Sequence, residues 1–175
     1  MTRIHIEHAA QARQSVGKLT LHQKEQLGDD IFAAQPNLLA SVLALNGLGV
    51  SHARMEPILH ILFMLFDAVR RAGLRLPVIT ETHQDLCLAR IVGRSRFIEG
   101  LSSQLADQAT QDQVHSHPEK FLLALVFGEL KDHDFFAVRT ESDKFCVLAA
   151  LNLVETIAHV ARDAPSDQLP DNTKT

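Results

Sequence analysis

Residues 58–69 constrain this chain more than any other part of its sequence. Ten of these twelve residues are apolar, and the two exceptions, His60 and Asp67, fall on the same side of a helix. Twelve residues are too few to cross a bilayer, so a segment that is apolar on nearly every face must be surrounded by protein. We therefore expect residues 58–69, the central segment, to form the innermost helix of the fold.

The composition is that of one globular domain. The 175 residues are 46% apolar and 22% charged, which is enough for one sizeable core, and no shift in composition divides the chain. Trp and Tyr are absent, so the core has to be built from aliphatic residues and Phe. We predict a single all-helical domain over residues 1–163 and a flexible tail over residues 164–175, which hold two prolines and little apolar mass.

Helix signals recur along the chain, and strands alternating with helices are not seen. Three capping patterns predict helix starts: Thr20 with Gln23, Ser116 with Glu119, and Thr140 with Asp143. The central helix is predicted to begin at Ser51, with a kink at Pro57, or at Pro57 itself. A long helical stretch is predicted over residues 82–110, followed by a polar loop that takes in residues 107–115. The predicted fold is an all-α bundle of six or seven helices with the central segment in the middle.

Apolar side chains at helical spacing predict which faces of these helices point inward. In the helix that follows Thr20, the predicted inward residues are Leu27, Ile31 and Phe32. In the stretch 82–110, Leu86 and Ile91 are among those predicted to face the core.

Two of the predicted helices carry a carboxylate four residues before a histidine. Glu56 precedes His60, with Asp67 on the same stripe, and Glu155 precedes His159 in the last helix. Residues four apart are helix neighbours, so these two helices, packed side by side, would bring the four side chains of the two pairs together on an Fe, Mn or Zn ion, with Asp67 as a further candidate ligand two turns beyond His60. The pattern resembles that of di-iron bundles, which take Glu and His from facing helices but use a three-residue step and further glutamates. The alternative is that each stripe is the solvated face of an amphipathic helix.

Three weaker patterns also have both a functional and a structural explanation. Residues 45–58 faintly resemble a helix-turn-helix with Arg54 on the reading face, although an interhelical turn explains the glycines more simply. His83 lies one turn before Cys87, a spacing that permits activation of a thiolate, but a buried cysteine is commoner. Residues 132–134 contain the dipeptide of HD phosphohydrolases, within what is otherwise a charged turn.

Charge and cysteine usage limit the classes of partner. The formal net charge is −4, and without clustered Lys and Arg the sequence favours neither nucleic acid nor an anionic membrane as partner. Cys87 and Cys146 lie in separate apolar patterns without metal-ligand spacing, which predicts two reduced core residues. The first residues lack the apolar run of a signal peptide, so the expected location is the cytoplasm.

The surplus of apolar helix predicts association. Residues 58–69, 121–127 and 145–151 are each too apolar for a helix with a solvent-facing side, and a domain of this size hides three such helices with difficulty. No serine elbow, phosphate-binding glycine loop or dinucleotide fingerprint is found. We therefore expect a non-enzymatic protein that acts through protein contacts, as a homodimer or with a regulatory partner; the alternative is the metal-binding bundle.

Overall fold

The computed structural model describes residues 2–99 and 103–165, which form eight α-helices. They are α1 (Ile6–Gly17), α2 (Leu21–Ala34), α3 (Pro36–Leu43), α4 (His52–Arg71), α5 (Glu81–Glu99), α6 (Ser103–Ser116), α7 (Lys120–Asp132) and α8 (Glu141–Ala161). Two short 3-10 helices, Ala44–Leu48 and Phe135–Ala137, follow α3 and α7, and no β-strand occurs within the described ranges. The predicted all-α class is confirmed.

The central segment lies in the middle of the bundle, as predicted. It forms most of α4, which packs against α1, α3, α7 and α8, and eight of its side chains are buried. The helix begins at Ser51, whose hydroxyl accepts a hydrogen bond from the Arg54 N–H, and it continues through Pro57. It ends before Gly73, whose φ of 64° lies in the left-handed region that glycine adopts without strain.

Two of the three predicted capping patterns are confirmed, and the third is wrong. The Thr20 and Thr140 hydroxyls accept hydrogen bonds from the backbone three residues on. The Ser116 hydroxyl instead ends α6 by donating to the Asp112 carbonyl at 2.7 Å, so the predicted loop over residues 107–115 is helical. Because most described side chains near the end of α6 face solvent, this helix needs no apolar stripe there.

The beginning of the described chain is tied to the end of α8. The buried Glu119 carboxylate accepts hydrogen bonds from the backbone N–H groups of Arg3 and Ile4, at 3.1 and 3.0 Å. The Arg3 guanidinium donates to the carbonyls of Ala161 and Ala164. The Ala161 carbonyl, in the last turn of α8, also accepts a hydrogen bond from the Ala164 N–H, so Arg3 is a second donor to it and joins the segment before α1 to the end of α8.

By length and composition alone, α8 qualifies as a membrane-crossing helix, and α2 with residues 36–48 would also qualify as one bent span. Half of the apolar window in α8 is buried inside the domain, and core helices pass this test too. The test therefore does not distinguish a membrane helix from the core helix that α8 forms here.

A buried side chain at the bend between α2 and α3 forms hydrogen bonds with a distant part of the chain. The chain turns by 119° there, and the buried Gln35 occupies the bend. Its amide donates to the Pro77 carbonyl at 2.9 Å, and its carbonyl accepts from the Ile79 N–H at 2.8 Å. Gln35 thus pairs with an extended segment as a neighbouring strand would, and it joins the bend between α2 and α3 to the residues that precede α5.

Candidate functional site: a groove beside the central helix

Helix α2 has two apolar stripes, and only one of them faces the core. Leu27 and Ile31 are buried, whereas Leu21 and Phe32 are 74% and 65% exposed. The prediction that Phe32 faces inward is therefore wrong, because Phe32 lies about 100° around the helix from Ile31. The second stripe faces an open groove.

The groove lies between α2, α3 and α4, with the end of α7 at one side, and has a volume of about 880 Å³. We call it the α2–α4 groove. Helix α2 contributes Leu21, Lys24, Glu25, Gly28, Asp29 and Phe32. The other walls are formed by Leu39 and Leu43 of α3, by Ala53, Glu56, Pro57, Leu59, His60 and Phe63 of α4, and by Glu129 and His133. A large concave site with mostly apolar walls and a few polar groups is the usual form of a binding site.

The groove is open because α2 packs mainly on α3 and touches α4 only lightly. Leu43 on α3 is 48% exposed, which leaves apolar surface on both sides of the opening. Pro57 on α4 has no N–H, so the Ala53 carbonyl beside it lacks its usual helical donor. The walls therefore combine uncovered apolar side chains with a backbone acceptor.

His60 is the half-buried polar side chain of α4 that faces this groove, where the exposed Glu56 lies one turn before it. Its side chain is half-buried, and no described residue forms a hydrogen bond with its imidazole. Burial lowers the pKa of His60 below its ordinary value of 6.5; Lys24 and His133 act in the same direction, while Glu129 and Glu56 oppose them. The groove therefore holds an imidazole that favours its neutral form, with one ring nitrogen that can donate a hydrogen bond and one that can accept a hydrogen bond.

Glu129 is a buried carboxylate on the groove, and it already has partners. Its Oε1 lies 2.7 Å from the Arg13 Nε, and its Oε2 lies 3.9 Å from the His133 Nε2. Arg13 also pairs with Asp132 at 2.7 Å. Because one guanidinium is shared by two carboxylates, Glu129 is only partly compensated, and its charge acts on His60.

The five side chains predicted as metal ligands lie in different places. Glu56 and His60 share the groove, and Asp67 pairs with Arg71 at 2.6 Å. Glu155 pairs with Arg94, and His159 packs its ring against that of His83, with centroids 5.9 Å apart. Within residues 2–99 and 103–165, no three His, Cys, Asp or Glu side chains are grouped so as to hold a metal ion. The metal site stays a prediction.

Glu155 belongs to a buried charge cluster between α5 and α8. The His117 Nδ1 accepts a hydrogen bond from the Glu119 N–H, which places the proton of a neutral ring on Nε2, 3.6 Å from Glu155. Burial alone would raise the pKa of Glu155, but His117 and Arg94 outweigh burial and lower it. The carboxylate is therefore an anchor between helices.

The residues of the weaker sequence patterns are engaged inside the domain. Arg54 pairs with Asp143 and lies 3.9 Å from the centre of the Phe135 ring, so it is not free to read DNA bases. Cys87, the cysteine one turn after His83, is free and buried; Cys146 is fully buried as well, and burial raises the pKa of its thiol to about 11. His83 accepts a hydrogen bond from the Thr80 N–H. None of these contacts adds a reactive centre.

Comparisons with protein-family models, with curated proteins and with solved structures found no match.

Proposed function

We propose that this protein acts by binding a helix of another protein in the α2–α4 groove, and that it catalyses no reaction. One observation carries the proposal: Leu21, Phe32 and Leu43 leave the mouth of a groove lined mainly by apolar side chains uncovered. A small molecule is usually enclosed by its site, whereas apolar side chains exposed to this extent suit a partner that lies along the surface. A helix presents its apolar side chains in a stripe that fits such a groove.

Gly28 supports a helical occupant. It lies in the interior of α2 and lines the groove, and a Cβ added there would meet nothing within 4 Å. Glycine inside a helix costs about 1 kcal/mol relative to alanine, and no contact within the described residues requires it. A helix crossing α2 at Gly28 would use the space, because helices approach most closely where side chains are small.

The uncovered apolar side chains that support the proposal lie on helices other than those whose apolar segments led us to expect association. The chain itself covers most of residues 58–69, and on α7 it buries Leu122, Leu123, Val126 and Leu130. The uncovered apolar side chains around the groove belong mainly to α2 and α3. Covering Phe32 alone would contribute roughly 2–3 kcal/mol to binding, by the usual scale for buried aromatic area.

A model peptide tests the proposal without knowledge of the natural partner. The probe is a fluorescein-labelled helix former of about 18 residues, with leucine at helical spacing and glutamine elsewhere. Fluorescence anisotropy should show binding to the wild-type protein and a loss of at least about thirtyfold in affinity for Phe32→Asp. The matched control is Leu86→Asp, which places the same charge on an exposed leucine of α5 outside the groove and should leave affinity unchanged.

Two outcomes would overturn the proposal. One is equal affinity of the peptide for the wild-type protein and for Phe32→Asp, or no binding to either. The other is a homodimer in sedimentation, at micromolar concentration, that Phe32→Asp converts to monomer, because the groove would then be occupied by a second copy of this chain. Circular dichroism of each variant shows whether it is folded.

A further inference from the structure

We infer that the partner helix is cationic, with Lys or Arg residues flanking its apolar stripe. This inference rests on the proposed function and names the chemistry of the partner at the same site. It comes from the charges that surround the α2–α4 groove, which are unequal in sign.

Three exposed carboxylates line the groove, against one ammonium group. Glu25 and Asp29 lie on α2 and Glu56 on α4, while Lys24 is the lysine among the lining residues. None of these three carboxylates forms an ion pair with a Lys or Arg of the described residues; the neighbour of Glu25 is His22, at 3.7 Å. Their charge is therefore directed to solvent and to whatever enters the groove.

The spacing on α2 strengthens this argument. Glu25 and Asp29 are four residues apart, so their like charges are neighbours on one face of the helix and destabilise it. A cationic side chain between them would replace that repulsion with two attractions. Deeper in the groove, Glu129 shares Arg13 with Asp132 and His60 favours its neutral form, so the floor of the groove adds no positive charge that would cancel the carboxylates above it.

The same charges argue against a second copy of this chain as the occupant. Two copies that met face to face through this groove would bring both sets of carboxylates together, and each copy carries a formal net charge of −4. Like charges opposed across an interface weaken the complex and slow association. Charge complementarity therefore favours a basic partner.

Three peptides with one leucine pattern test the inference, with glutamine, lysine or glutamate at all other positions. We expect the lysine peptide to bind the wild-type protein about tenfold more tightly than the glutamine peptide, and the glutamate peptide about tenfold more weakly. Added salt should reduce both differences. In the triple variant Glu25→Gln, Asp29→Asn, Glu56→Gln, the three peptides should bind with similar affinity.

A matched triple variant controls for net charge. Glu7→Gln, Asp85→Asn and Glu141→Gln remove three exposed carboxylates that do not line the groove, and this variant should keep the wild-type preference. If the glutamine peptide binds at the groove but the lysine and glutamate peptides bind equally, the inferred partner charge is wrong and the proposed function stands. If Phe32→Asp weakens none of the peptides, both fail.

Discussion

Replacing Gly28 with alanine should stabilise the fold and weaken binding at the same time. Alanine is favoured over glycine in a helix interior by about 1 kcal/mol, which for a domain of this size raises the melting temperature by roughly 2–4 °C. The added methyl group meets nothing within 4 Å, so no internal clash offsets this gain. In a closely packed helix crossing, the same methyl group would cost about 1 kcal/mol or more, which is roughly a fivefold loss of affinity.

The matched control is Gly93→Ala. Gly93 is also inside a helix and also has free space around its Cβ position, but it does not line the groove. Both variants should melt at a higher temperature by calorimetry, whereas only Gly28→Ala should bind the glutamine peptide more weakly by anisotropy. A rise in stability without a change in affinity would refute a close approach at Gly28. A fall in stability would mean that glycine is needed by the fold itself.

Three further predictions concern titration and reactivity. The pKa of the His60 imidazole, followed by NMR, should lie below 6.5 because burial lowers it. Acidification from pH 6.5 through that lower pKa should reduce the stability of the fold, and the His60→Gln variant should lack this pH dependence. A pKa at or above 6.5 would contradict the burial. Cys146, whose thiol has a pKa of about 11, should react with iodoacetamide at about pH 8 far more slowly in the folded protein than in denaturant. Both rates are measured in a Cys87→Ser background, and equal rates would exclude a protected thiol. The hydrogen bond from Arg54 lowers the pKa of Asp143, so the stabilisation that this carboxylate provides should be present at neutral pH and be lost as the pH falls through that lowered pKa. In urea titrations, the Asp143→Asn variant should be less stable than the wild-type protein at neutral pH and should lose less stability on acidification. Identical pH profiles of the two proteins would refute this.

Local signals in the sequence predicted the helices well where a cap or a fully apolar segment decided the outcome. The hydroxyls of Thr20 and Thr140 act within a few residues of their own position, so their role can be read without knowledge of the fold. The polar stretch 107–115 was assigned to a loop because it lacks an apolar stripe. That criterion fails for a helix such as α6, whose last residues lie mostly at the surface.

The position of the groove could not be predicted from the periodicity of apolar residues alone. Phe32 and Leu86 are apolar, and the sequence alone assigned them to the core, yet they are 65% and 44% exposed. A signal for the groove was present in α2, where Leu21, Gly28 and Phe32 recur at helical spacing on a face other than that of Leu27 and Ile31. Hydrophobicity shows that a side chain avoids water but does not show whether its own chain or a partner covers it.

The residues that surround His60 could not be predicted from local spacing either. Glu129, on α7, and His133, which directly follows α7, have the same four-residue spacing as Glu155 and His159 on α8, and the sequence offers no means of ranking the two pairs. The packing of the helices distinguishes the two pairs, because the end of α7 places Glu129 and His133 in the groove that holds His60. Such pairings depend on contacts between distant parts of the chain, which local spacing does not encode.

The hydrogen bonds of Arg3 also bear on the order in which the molecule is completed. They join residues separated by 158 and 161 positions along the chain, so a nascent polypeptide cannot form them until residues 161–164 have left the ribosome. Contacts of such long range form slowly, since a large loop must close first. The two hydrogen bonds from Arg3 to the end of α8 should therefore be among the last of the described contacts to form, after α1 has packed on α4 and after Glu119 has paired with the Arg3 and Ile4 N–H groups.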